Sequence, residues 1–158
     1  MVDDDFIKKT ADALKQKREQ YNLQTQQVLH DADLLKSKPQ GKWQEFISCI
    51  KSTVEKTNRQ LGDEALAYRE ESPNEFTITC DIGQNKSLIR VKFDVSDGSM
   101  RYMGQSLNGA FMPTVRGNEL CYVDADSYSS EGNAGGMTVT IDYMVKKLMR
   151  SVTNSPNL

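Results

Sequence analysis

The densest group of chemically competent side chains in this 158-residue sequence is Asp124-Ala125-Asp126-Ser127-Tyr128-Ser129-Ser130-Glu131. Carboxylates at Asp124 and Asp126, with Glu131 beyond them, offer oxygen ligands to a hard cation, and their D-x-D spacing matches the opening of a calcium loop. The match ends there. The sixth position is Ser129 where the loop's sharp turn needs glycine, and the twelfth is Gly135 where a bidentate glutamate belongs. Asp124, Asp126 and Glu131 are thus only weak metal candidates in a solvated loop, and no metal is assigned. These carboxylates, together with Asp81, could also form an acid/base pair. No nucleophile elbow, zinc helix, Walker loop, dinucleotide fingerprint or kinase signature accompanies them. The expectation is a non-catalytic protein without a cofactor.

Other reactive residues fare no better. His30, the single histidine, lies between Leu29 and Asp31 in a helical stretch with no nucleophile motif beside it, and reads as a structural residue rather than a general base or ligand. Gly132-Asn133-Ala134-Gly135-Gly136 precedes a helix and could offer backbone N–H groups to an anion. It contains no Lys or Arg, and Glu131 guards its entrance, so it reads as a connection. Cys49, Cys80 and Cys121 are odd in number and far apart, which suggests neither a disulfide framework nor a metal knuckle; they read as small buried hydrophobes.

The elements that would carry these residues are legible from periodicity. From Asp3 to about Lys36 there is neither Gly nor Pro, and Ile7, Leu14, Tyr21, Val28 and Leu35 recur every seventh residue. This predicts a helix whose acidic start suits the positive end of its dipole. The companion positions Ala11, Arg18, Thr25 and Ala32 complete half of a seam, so the apolar stripe is narrow and calls for a partner. After Ser37-Lys38-Pro39-Gln40-Gly41 a second helix follows through Trp43, Ile47, Ile50, Val54, Thr57 and Leu61, with Phe46 widening its apolar face and Gly62 as its cap. The short break predicts an antiparallel helical hairpin over residues 1–61.

Beyond Gly62 the period becomes two. A Gly83–Lys86 loop would pair Cys80 with Ile89, Ile78 with Val91 and Phe76 with Phe93, and an Asp97-Gly98 turn would pair Val95 with Met100 and Phe93 with Tyr102. Asn108-Gly109 and Gly117-Asn118 mark further turns, giving strands near 100–107, 110–116 and 119–126. Pro113 sits awkwardly within one of them. Met137, Ile141, Val145, Leu148 and Val152 predict a closing helix, whose β-branched start at Thr138-Val139-Thr140 could remain a strand. The fold class is α+β in a single domain, with a helical hairpin arm (1–61), then an antiparallel meander of five to six strands and a C-terminal helix (62–158).

Met103, Met112, Cys121 and Val123 fall on the second face of that sheet, with Tyr122 beside them, as an apolar patch for a ligand, a partner or the C-terminal helix to cover. At a net charge of −2, nucleic acid and anionic membrane are not the expected partners. The acidic start and the lack of a long apolar run suit a cytoplasmic protein. The leading expectation is a protein-interaction or adaptor module that self-associates as a homodimer through Ile7, Leu14, Tyr21, Val28 and Leu35. The alternative is a small-molecule binding domain with its pocket between sheet and helix.

Overall fold

The computed structural model describes residues 1–125 and 137–158, and its architecture is α+β. Helix α1 spans Asp4–Ser37; Asp3 caps it by accepting the Phe6 N–H at 2.8 Å, and Asp4 and Asp5 occupy its first turn. Helix α2 spans Pro39–Leu61 and stops at Gly62, whose φ of 73° is the left-handed cap conformation that favours glycine. Only Lys38 separates the two, in a right-handed helical conformation, and hydrogen bonds run through it from Lys38 N–H to Leu34 O and from Lys42 N–H to Lys38 O. Both pieces lie where the periodicity puts them. They form one long bent helix rather than a hairpin, because Pro39 lacks the N–H that would continue the ladder yet suits the first position of a new helix.

Helix α2 belongs to the folded body. Its residues Trp43, Phe46, Ile47, Ile50 and Val54 are buried on the sheet, and Trp43 stacks on Phe76 and Phe93 with ring centroids 5.4 Å away in each case. The Trp43 Nε1–H donates to Pro73 O at 2.9 Å, so the indole is buried without an orphaned donor. The Asn58 side chain donates to Leu66 O at 2.7 Å and accepts Leu66 N–H at 3.1 Å, fastening the end of α2 to the first strand.

The sheet has seven antiparallel strands in sequential order: β1 Leu66–Ser72, β2 Glu75–Ile82, β3 Asn85–Phe93, β4 Met100–Gly104, β5 Asn108–Arg116, β6 Glu119–Asp124 and β7 Thr138–Val139. The count exceeds the expected five to six because Leu66–Ser72 pairs as a strand, with an irregularity at Glu71, and Thr138–Val139 adds a short last strand. Helix α3, Ile141–Val152, is capped by Thr140, whose hydroxyl accepts the Tyr143 N–H. It lies beside α2 on the same face of the sheet, burying Met144, Val145, Leu148 and Val152, while Met137 stays exposed.

Two hairpin registers differ from expectation by two residues. Ile78 faces Ile89 and Phe76 faces Val91 across a Gly83-Gln84 turn, and Phe93 faces Met100 rather than Tyr102. A shift of two preserves which face each side chain occupies, so alternation alone does not distinguish these registers. The longer Asp94–Ser99 loop has a packing cause: Gly98, at φ +74°, lies so close to α2 that a Cβ there would sit 2.8 Å from Pro39 Cγ. Asn108-Gly109 is not a turn. It lies within β5 opposite Met103 and Tyr102, and the chain reverses at Gly104–Leu107. Gly117-Asn118 is a tight turn with both residues at positive φ. Pro113 is accommodated because β4 pairing ends at Phe111, so its missing N–H costs no bond on that side.

Candidate functional site

Among the described residues, three side-chain groups and one cleft are the places where this scaffold could act on something else. The first is α1. Its 34 residues extend about 51 Å, yet Leu34 is its single buried residue. Its base rests on the hairpin between β5 and β6, where Gln27 Nε2 donates to Asn118 Oδ1 at 3.0 Å. All five heptad residues are solvent-exposed: Ile7 55%, Leu14 60%, Tyr21 69%, Val28 66% and Leu35 38%. Ala11, Arg18, Thr25 and Ala32 are exposed as well, so the whole half-seam forms an accessible stripe. His30 is exposed on the same helix.

The second place is the outer face of the sheet. Its first three strands carry ion pairs, among them Arg69–Glu71 and Arg90–Glu75. Farther along, Met112 faces Val123 and Thr114 faces Cys121. Met103 is opposite Asn108, four residues along β5 from Met112 and so roughly 13 Å away; the anticipated patch is divided. Met103 and Met112 are exposed, Cys121 is half-buried and Val123 is buried. Tyr122 points to the opposite, helix-covered face, where its hydroxyl donates to Gly98 O at 2.9 Å and burial pushes its pKa up. The C-terminal helix does not cover the outer face, because Tyr143, Lys147 and its apolar stripe all engage the inner one.

The third is a buried polar cluster at the end of β6. Asp124 is fully buried and accepts hydrogen bonds from Tyr102 Oη at 2.8 Å, Tyr143 Oη at 3.0 Å and Lys147 Nζ at 2.5 Å. The Lys147 ammonium also lies 5.1 Å from the centre of the Tyr102 ring, a cation–π geometry. Burial alone would raise the Asp124 pKa, but the bonds from Lys147, Tyr102 and Tyr143 and the lysine's charge together hold it below the usual carboxylate range. Asp124 is therefore not in a solvated loop. An anion satisfied by a cation and two hydroxyls is a poor base, and the paired ammonium is a poor nucleophile, so the cluster fastens β4 and β6 to α3. The signal for it is present in the sequence: Tyr143 and Lys147 stand one helical turn apart, flanking the apolar Met144 and Leu148.

Asp126, Glu131 and the glycine-rich Gly132–Gly136 stretch lie outside the described residues. Among the described residues, no group of three or more His, Cys, Asp or Glu side chains is placed to hold a metal ion, and no helix is long and apolar enough to cross a membrane. The three cysteines are free thiols: Cys80 is buried, its pKa raised first by burial and then by Asp81, and Cys49 and Cys121 are half-buried. An open cleft of about 430 Å³ lies between the start of α2, β6, β7 and α3, where Leu120, Cys121, Tyr122, Ile141 and Met144 supply its apolar wall. No protein-family model, curated protein or solved structure matches this chain.

Proposed function

We propose that this protein is a non-catalytic interaction module that self-associates through α1, with the α+β body as the carried head. The observation behind this reading is the exposed heptad. A helix with Ile7, Leu14, Tyr21 and Val28 aligned on one side and open to water presents a row of large apolar side chains of the kind that a helix–helix seam removes from water. A helix this long receives little support from a body that buries only Leu34.

Small-angle scattering of wild type and of the Leu14→Asp/Val28→Asp variant tests it. Both substitutions fall on exposed positions, so the body should fold unchanged. Wild type is expected as an elongated two-chain particle and the variant as a single chain; single chains for both would overturn the proposal.

A second reading, small-molecule binding, draws on the cleft beside β6 and β7, whose volume falls in the range of ligand sites. A metabolite screen in which nothing raises the melting temperature would remove it.

A further inference from the structure

The seam residues of α1 form two interleaved rows, one of large apolar side chains and one of small side chains interrupted by Arg18. Ile7, Leu14, Tyr21, Val28 and Leu35 are the large row, and Ala11, Arg18, Thr25 and Ala32 fall between them; Leu35 lies past the last shared layer, level with Asp4 of the second copy. From this we infer that the partner of α1 is the α1 of a second copy, packed antiparallel about a two-fold axis near Glu19-Gln20; the inference rests on the self-association reading above.

In that orientation each layer from Ile7 to Ala32 joins a residue of one row to a residue of the other. Ala11 meets Val28 of the second copy, Arg18 meets Tyr21, Thr25 meets Leu14, and Ala32 meets Ile7. Small side chains meet large ones in every aliphatic layer, which keeps the interaxial distance even. Arg18, the residue least suited to a seam, gains an aromatic face for its guanidinium and an apolar wall for its stem. A parallel pair would instead stack Ala11 on Ala11 and Ala32 on Ala32, leaving gaps between wide layers, and would oppose Arg18 with Arg18.

Charge selects the same orientation. The N-terminus of α1 carries Asp3, Asp4 and Asp5, and its far end carries Lys36 and Lys38. Antiparallel pairing brings Asp3, Asp4 and Asp5 of each copy beside Lys36 and Lys38 of the other, sets Lys8 and Lys9 toward Asp31 and Asp33, and opposes the two helix dipoles. Parallel pairing would place six aspartates together. The flanking pairs raise no conflict: Lys8 faces Leu29, Lys15 faces Asn22, Thr10 faces Asp31 and Lys17 faces Gln24. Room exists at the base of the arm as well, since Leu35, Lys36 and Lys38 are exposed on the full chain. The two bodies then sit at opposite ends of a shared rod with about 39 Å of overlap from Ile7 to Ala32.

A cross-linking experiment on the full chain decides it. Chains bearing Ala11→Cys are mixed with mass-tagged chains bearing Val28→Cys and treated with a short thiol-to-thiol cross-linker; wild type, with its three native thiols, sets the background. Antiparallel pairing joins position 11 to position 28, so the mixed product should dominate. Each substitution alone would stay near background, because the two copies of either position then lie about 26 Å apart along the rod. Same-site products in place of the mixed one would overturn the antiparallel arrangement and leave self-association standing. No product above background, from a chain that sediments as a single copy, would overturn both.

Discussion

Replacing Lys147 with methionine keeps the aliphatic stem over Tyr102 and removes the ammonium from a fully buried carboxylate. The ordinary cost of deleting one partner of a buried ion pair is about 3–5 kcal/mol. Here Asp124 keeps the hydroxyl bonds from Tyr102 and Tyr143, so the lower end applies, about 3 kcal/mol at pH 7. For a domain of this size that corresponds to a fall in Tm of roughly 6–12 °C. Urea unfolding followed by the fluorescence of Trp43, the one tryptophan and fully buried, gives the free energy directly. The pH dependence has a definite sign. In wild type the lowered Asp124 pKa contributes stability that is present above the ordinary carboxylate pKa and is lost as pH falls through the lowered value. Without Lys147, burial becomes the leading influence and the folded pKa rises, so the variant takes up a proton on folding as pH drops. The gap between the two proteins should therefore narrow between pH 7 and pH 4. A loss below about 1 kcal/mol, or a gap constant across that range, would refute the reading of this cluster as a charge-coupled fastener.

Further outcomes follow from the contacts of α2. Gly98→Ala meets both a left-handed backbone and a Cβ 2.8 Å from Pro39 Cγ, and is expected to cost about 2–4 kcal/mol by urea midpoint; a change under 1 kcal/mol would contradict the tight approach of α2 to that loop. Asn58→Ala strands the N–H and C=O of buried Leu66 and should cost about 2–4 kcal/mol, with amide exchange at Leu66 accelerating first.

Which parts of this fold were legible beforehand depends on which physical signals are local. The breaks at Lys38-Pro39 and Gly62 are written in residue types with narrow backbone preferences, and the structure uses both. The direction taken after Lys38 is not local: one residue in helical conformation bends the rod instead of reversing it, and the burial of Trp43, Phe46 and Ile50 on the sheet sets where α2 must lie. Strand faces follow from alternation, whereas registers were displaced by two residues because that shift leaves every face intact. The Asn108-Gly109 signal lost to tertiary packing: pairing Met100 with Phe111 places Phe111 against Tyr102, with rings 4.8 Å apart, and against Phe46. Asp124 was visible as a carboxylate but not as a buried one, since its partners Tyr102, Tyr143 and Lys147 are 19 to 23 residues distant. The seven-residue spacing of α1 was readable from the helix alone, whereas its exposure was not, because the expected hairpin would have laid α1 along α2 and the structure buries only Leu34.

The central claim is that this stripe joins two copies of the chain, and sedimentation equilibrium measures it most directly. With rising concentration the apparent mass of wild type should climb from 17.8 kDa toward twice that value, and the Leu14→Asp/Val28→Asp variant should remain at the single-chain mass. A wild-type protein that stays at 17.8 kDa over the whole range, indistinguishable from the variant, would contradict it.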